Sequence, residues 1–272
     1  LNIIVIPIYK AVPSQTEEVS FLQNVKVLSK HLFSIVTHSQ LDISYYTDVL
    51  EKERVSYQVD FFDRSFFDSL KSYNRLLLSS EFYNCYKQFD YMLITQLDVY
   101  VFRDELDMWC NKAYDYIGAP WFSRFRSNHN VAKLEAVGNG GFSLRKIQTF
   151  LDVFKYAEKH NKTISLTNFW NVYDLVECNK LTIKNIWLRL RGVNNNLQYY
   201  LSSDIQEDVV WSQIVPEAYR QFKIATIAEA ISFSFESDPS YLLGLNNNIL
   251  PFGCHAWQKN QYEEFWKNYI KI

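Results

Sequence analysis

The sequence predicts an α/β protein with a mixed, mostly parallel central sheet flanked by helices. Three observations carry that prediction. The chain opens on an almost unbroken β-branched run, strand-like and helix-like segments alternate through its first half, and glycine and proline are scarce. Of 272 residues, 48% are hydrophobic and 17% aromatic, against seven Gly and six Pro. Collagen-like, linker-like and disordered chains need the reverse balance. No linker, internal repeat or low-complexity tract divides the chain, so one domain is expected over residues 1–272. About 1–121 forms its first half and about 122–272 its second.

Asn2 to Tyr9 is too short and too β-branched for a helix. A continuously apolar strand marks a sheet covered on both faces. Thr16-Glu17-Glu18 opens a helix with acids in its first turn, and Phe21, Val25, Leu28 and Leu32 recur at helical spacing. Phe33 to Thr37 and Tyr57 to Phe62 read as the next strands. Ser72 to Phe89 reads as a helix leading into Tyr91 to Phe102 (YMLITQLDVYVF), the clearest strand signal. Tyr114 to Trp121 and Gly138 to Leu144 read as short strands, and Ile147 to His160 as an amphipathic helix. Asn161 to Ser203 has no legible period, and Asn194-Asn195-Asn196 suggests a loop. Glu207 to Tyr219 reads as helical up to Pro216 and Phe222 to Ala225 as a short strand. Leu250 to Trp257 reads as a loop or short strand, and Tyr262 to Ile270 as a closing helix.

Charge narrows the function classes. Twenty-eight Lys and Arg against thirty Asp and Glu leave a net charge of −2. A protein that grips a phosphate backbone carries a basic excess, so no nucleic-acid partner is expected. No apolar run reaches the roughly 18–20 residues of a membrane span. Leu1 to Ile8 reads as a strand rather than a signal peptide, because no basic run precedes it. Cys85, Cys110, Cys178 and Cys254 form no C-x-x-C pair, which argues against a zinc ribbon. Sparse, buried thiols suit a reducing compartment, and a cytoplasmic location is expected.

Four short segments carry the candidate chemistry. Asp98 interrupts an apolar strand, where an acid is costly unless paired or set at the strand's C-terminal edge. Ligands of open α/β sheets bind at those edges. A carboxylate there can hold a divalent cation that also grips a diphosphate, while a helix cap or solvated acid is the bland alternative. Gly138-Asn139-Gly140-Gly141 places three glycines in four positions. That density requires positive φ or close approach of a ligand, or marks a tight hairpin. It matches neither a P-loop nor a dinucleotide fingerprint. Gln206-Glu207-Asp208 precedes an apolar run. Its acids are first-turn dipole partners or a general base for an attacking hydroxyl. In Gly253-Cys254-His255-Ala256-Trp257 the imidazole suits a Mn²⁺-like ion. Trp257 fits either a sugar platform or the core. His31, His38, His129 and His160 are scattered, and no Ser-His-Asp order, H-E-x-x-H or kinase signature is present.

Read in order, IIVIPIYK at 3–10, QLD at 96–98, GNGGFSL at 138–144, QED at 206–208 and GCHAW at 253–257 resemble glycosyltransferases of the GT-A fold. YNRLLLS at 73–79, YDYIGAPW at 114–121 and VGNGGFSLRK at 137–146 further resemble a bacterial domain-of-unknown-function family of such enzymes. The resemblance implies a GT-A-like, Rossmann-like sheet whose first half binds a nucleotide-sugar and whose second half faces the acceptor. It implies transfer of a hexose from a UDP-sugar to a glycan, glycolipid or glycoprotein hydroxyl, with inversion. On that likeness Asp208 is the base, with Glu207 next. Asp98 and His255 would hold Mn²⁺ or Mg²⁺. Pro7, Tyr9, Lys10, Asn74, Gln96, Asp98, Gly140 and Gly141 would lie along the donor. One departure stands out: Gln96 occupies the place of the first acid of the D-x-D element and adds no charge. Lys10, Arg75 or Arg145 would then be candidates to neutralise the diphosphate. Two other readings follow from the same residues. One is an inactive glycan- or nucleotide-binding module of this fold. The other is a nucleotidyltransferase, against which YKAVPSQTEE, lacking any glycine after the first strand, counts.

Overall fold

The computed structural model describes residues 1–123, 133–159 and 196–272. The expectations for His129, His160, Cys178, Asn194 and Asn195, and most of the 161–203 stretch, lie outside the described residues. Six strands form the central sheet. β1 (Asn2–Pro7), β2 (Leu32–Thr37), β3 (Tyr57–Phe61) and β4 (Tyr91–Thr95) run parallel in the order β3-β2-β1-β4. β9 (Phe142–Lys146) joins β4 antiparallel, and β6 (Tyr116–Ile117) closes the other edge beside it.

Apolar side chains on both sheet faces meet helices, as the continuous strand runs require. On one face Ile4, Ile6 and Leu93 pack with Phe21 and Val25 of α1 (Gln15–Val27), Leu50 of α2 (Ser44–Lys52) and Trp109 of α5 (Leu106–Asn111). On the other, Ile3, Val5 and Ile94 pack with α3 (Leu70–Leu77), α4 (Ser80–Cys85) and α6 (Ile147–Lys159). α7 (Asn196–Leu201) adds Leu197 to that face.

Two predicted elements divide where the chain changes layer. The expected strand Tyr91 to Phe102 leaves the sheet after Thr95, turns at 96–98 with Val99 N–H donating to Gln96 O at 3.0 Å, and resumes as β5 (Val99–Val101). β5 belongs to a second, three-stranded sheet with β10 (Ser234–Phe235) and β11 (Gly253–His255). Asp98 therefore stands at a turn, where its carboxylate is spared full burial in a strand. The expected helix over 72–89 is two. Ser79 Oγ accepts from Phe82 N–H at 3.2 Å and caps α4, ending α3 at Leu77.

Gly138 ends β8 (Leu134–Gly138), which pairs with β7 (Ala119–Phe122). The glycine segment is thus the turn into β9 rather than a strand. The predicted strand 222–225 is reduced to one bridge between Tyr116 and Ile224. The closing helix is only a 3₁₀ turn, Trp266–Asn268, whose Trp266 is buried.

α1 fixes the site's height above the sheet. Asn24, buried on its core face, donates to Val99 O at 2.7 Å and accepts from Val101 N–H at 2.9 Å. Removing that side chain would strand two buried backbone groups on β5, at about 1–3 kcal/mol each. Trp257 Nε1 donates to Ser20 Oγ at 2.8 Å, tying the segment after β11 to the same helix. Trp257 is fully buried, so it belongs to the core rather than to a sugar platform.

Candidate active site

β5 and β11 pair antiparallel with His255 opposite Val99, so His255 falls beside Asp98. Ala256 N–H donates to Asp98 O at 3.0 Å and locks that register. His255 Nε2 lies 3.2 Å from Asp98 Oδ1, and Lys259 Nζ lies 3.2 Å from Oδ2. The other imidazole nitrogen, Nδ1, meets Glu236 Oε1 at 3.1 Å. Burial pushes the Asp98 carboxyl up, but the bond and charge of His255, joined by Lys259, outweigh it and hold the group well below the usual carboxylate range. Burial disfavours the imidazolium, yet its bonds to Asp98 and Glu236 raise His255 to about 9.

The glycine turn joins this pair to the acids of the second half. Gln96 N–H donates to Gly141 O at 2.9 Å, bringing the turn against the end of β4. A Cβ on Gly141 would stand 2.2 Å from His255 Nε2, and one on Gly140 would stand 2.1 Å from Glu207 Oε1. Close approach is therefore what these glycines permit, and the approaching groups are the protein's own side chains. The positive φ falls on Asn139, at 95°, whose Oδ1 accepts from Gly141 N–H at 2.9 Å and Phe142 N–H at 3.0 Å.

Glu207 and Asp208 open α8 (Glu207–Val209), which continues through a π turn, Val210–Ile214, into α9 (Val215–Ala218). Asp208 Oδ2 accepts from Gly140 N–H at 3.1 Å, and Oδ1 from Val209 N–H at 2.9 Å. Burial raises the Asp208 carboxyl above its ordinary value, against the pull of those N–H groups and of Arg145. Glu207 is 2% exposed and pairs with Arg145, Oε1 to Nη2 at 2.8 Å. Burial pushes its carboxyl up to about 7, opposed by that guanidinium.

The other predicted residues separate. Tyr9 is half exposed, follows β1, and donates to Glu17 Oε1 at 3.3 Å. Burial, then the charges of Glu17 and Asp98, push its hydroxyl up to about 12. Lys10 binds both Glu17 oxygens at 2.9 Å, which already neutralises its charge. Pro7 is buried within β1. Gln96 is partly buried in the turn after β4, where its backbone N–H is tied to Gly141. Asn74 Oδ1 accepts from Glu207 N–H at 3.2 Å and so caps α8. Arg75 is turned outward onto Asp204 at 2.9 Å. Arg145 is wholly buried, which removes it as a cation for a diphosphate. Sequence reasoning missed Glu236, a lone acid in an ordinary context, because only the β10–β11 pairing brings it to His255.

Among the described residues, no three His, Cys, Asp or Glu side chains converge as a ready-made metal centre. Asp98 and His255 still suit a Mn²⁺- or Mg²⁺-type ion, since such ions take one or two protein groups plus phosphate oxygens. Glu236 on the far nitrogen is the outer partner that metal-binding histidines generally have.

The mixed sheet, parallel through β4 and antiparallel at β9, has the GT-A fold of the glycosyltransferase that it superposes on. Mouse xyloside xylosyltransferase 1 in its apo form superposes with a TM-score of 0.51 at 9% identity, over 94% of this chain and 96% of that one. A galactosyltransferase, LgtC, in complex with donor and acceptor sugar analogues gives 0.46 at 12% identity, over 94% and 86%. Core-mannan synthase A from Aspergillus fumigatus, in a Mn/GDP form, gives 0.41 at 8%, over 58% of this chain and 64% of that one. The protein belongs to the family described as "Protein of unknown function (DUF5672)", whose profile matches residues 56–255. No curated protein matches the chain in sequence. Among the described residues no helix is long and apolar enough to cross a membrane.

Proposed function

We propose that this protein is a nucleotide-sugar-dependent glycosyltransferase. It moves a hexose from a UDP-sugar to a hydroxyl of a glycan, glycolipid or glycoprotein, with inversion. The supporting observation is the meeting of two groups on one glycine turn: the Asp98–His255 pair at Gly141 and the Asp208 carboxylate at Gly140. Asp208 is the base. It takes the proton of the acceptor hydroxyl as the new C–O bond forms, while the bond from sugar to diphosphate breaks and UDP leaves with the electron pair. A carboxyl raised by burial is the better base for such a proton.

Asp98 and His255 would hold a divalent ion, which when bound supplies positive charge to the departing diphosphate. Lys259, largely exposed and resting on Asp98, is a further cation at that end. Tyr9, just past the carboxyl end of β1, lies along the nucleotide. Catalysis then rests on orientation and fixed charge.

Incubation with radiolabelled UDP-sugars and Mn²⁺ tests the reading. The expected result is donor binding with slow release of UDP, accelerated by an acceptor. Asp208→Asn should lower kcat by about 100- to 10,000-fold. A wild-type protein that neither binds nor hydrolyses any UDP-sugar sinks the proposal. Gln96 in place of an acid favours one alternative, an inactive binding module of the same fold. Donor binding without nucleotide release, whatever the acceptor, would select it.

A further inference from the structure

Arg145 sits in the middle of the central sheet on β9, between Met92 of β4 and Tyr116 of β6, and is wholly buried. A guanidinium is rarely sealed in a core unless its N–H groups are held. Here Nε donates to Ser143 Oγ at 3.0 Å, Nη1 to the Tyr83 hydroxyl at 2.9 Å, and Nη2 to Glu207 Oε1 at 2.8 Å. Its carbon lies 5.6 Å from the Tyr116 ring centre and 5.9 Å from that of Phe150. One cation thus gathers β9, α4 and the first residue of α8.

Such a pair is a poor source of stability. Apolar side chains of similar volume often serve a core as well or better, and Glu207 Oε2 is left with no partner. What the pair does supply is a fixed position. Glu207 is held through its carboxylate by Arg145 and through its backbone N–H by Asn74, and its Oε1 fills the space beside Gly140. Asp208 is the next residue, bonded to the N–H of that same glycine.

We propose that Arg145 and Glu207 together are positioning residues for Asp208, fixing where its carboxylate stands and how tightly it holds a proton. The proposal rests on the reading of Asp208 as the base, and it takes Glu207 out of the reacting groups. The charged and titratable groups facing Asp208 are Arg145, which favours its ionised form, and Glu236, which disfavours it. Glu207 adjoins it, and the Tyr116 hydroxyl feels its charge.

The test uses the full chain and two readouts: the Asp208 carboxyl titration followed by ¹³C NMR, with Asp208→Asn for assignment, and kcat and KM for UDP-sugar turnover against pH. Glu207→Gln keeps the shape and the acceptor for Arg145 but removes a carboxyl that takes up its charge near pH 7. The Asp208 titration should then lose the inflection that Glu207 imposes on it near pH 7, and the pH profile of kcat should lose the same step at unchanged KM. Arg145→Lys keeps the charge but loses the fork, and should lower kcat on the order of 100-fold at unchanged KM. If that variant does not fold, Tyr83→Phe replaces it, removing one bond from the guanidinium, with a smaller kcat loss in the same pattern.

An Asp208 titration identical in wild type and Glu207→Gln would overturn the proposal. So would a Glu207→Gln variant as inactive at every pH as Asp208→Asn, because Glu207 would then be the base itself. A wild-type protein that turns over no UDP-sugar refutes the glycosyltransferase reading alone. The carboxyl titration, which needs no donor, still decides whether the pair governs Asp208.

Discussion

Glu236 holds Nδ1 of His255 at 3.1 Å and so points Nε2 at the Asp98 carboxylate. An imidazole is a metal donor only through the nitrogen that carries no proton, and the partner on the other nitrogen selects it. In the proposed donor site Glu236→Gln should weaken Mn²⁺ binding in the presence of UDP by about 10- to 100-fold, read by titration calorimetry. An unchanged Mn²⁺ affinity would remove Glu236 from the site. The residue was not legible in the sequence, because nothing in SFES at 234–237 distinguishes that acid from any exposed one. Asp98 was legible for the opposite reason: an acid within YMLITQLDVYVF contradicts its apolar surroundings. Arg145 shows the limit of reading a charge alone. In the sequence it is a cation available to a diphosphate, while in the fold β6, α4, α6 and α8 close over it.

At the scale of elements, α1 carries the site more than any strand does. Its first turn is a capping box, in which Ser14 N–H and Oγ–H both donate to Glu17 Oε2 at 2.7 Å. Its middle holds β5 through Asn24 and the segment after β11 through Ser20. Burial pushes the Glu17 carboxyl up, but Lys10 and Ser14 outweigh it, and the group lies below its ordinary value of 4.5. A carboxyl depressed in the folded state contributes stability that is present above 4.5 and is lost as pH falls through the depressed value. Glu17→Gln should therefore cost about 1 kcal/mol at pH near 7. The gap between its urea midpoint and that of wild type should narrow as the solution is acidified. A gap that stays constant down to acid pH would show that the charge of Glu17 does not stabilise the helix. The start of this helix was visible in TEE at 16–18. Its grip on β5 was not, because Asn24 reads as a polar helix residue until a strand lies beside it.

At the scale of the whole molecule, the central sheet ends its parallel run at β4 and β9, and the candidate site stands at the carboxyl edge of β1 and β4, where open α/β sheets take ligands. Binding to the folded state alone raises stability by mass action. UDP with Mn²⁺ at 100 times its Kd should add about 2.7 kcal/mol, worth roughly 2–4 °C of melting temperature per kcal/mol at this size. The expected outcome is a shift with UDP that depends on Mn²⁺ and is lost in Asp98→Asn. A larger shift with GDP would reassign the donor's base, and no shift with either would remove the nucleotide from the account.

The sequence by itself determined the α/β class, the first three strands, the helix at 147–159 and the identity of Asp98, Asp208 and His255 as chemically unusual. Each of those is local: a β-branched run, a helical period, or a polar group in apolar company. Tertiary structure alone decided that Tyr91 to Phe102 splits between two sheets, that Glu207 is sealed against Arg145 while Asp208 keeps a small exposed part, and that Glu236 backs His255. Those facts depend on contacts between residues far apart in the chain, such as Val101 of β5 opposite Gly253 of β11. Pairing across such distances is set by which apolar surfaces close on one another, and no window along the chain carries that information.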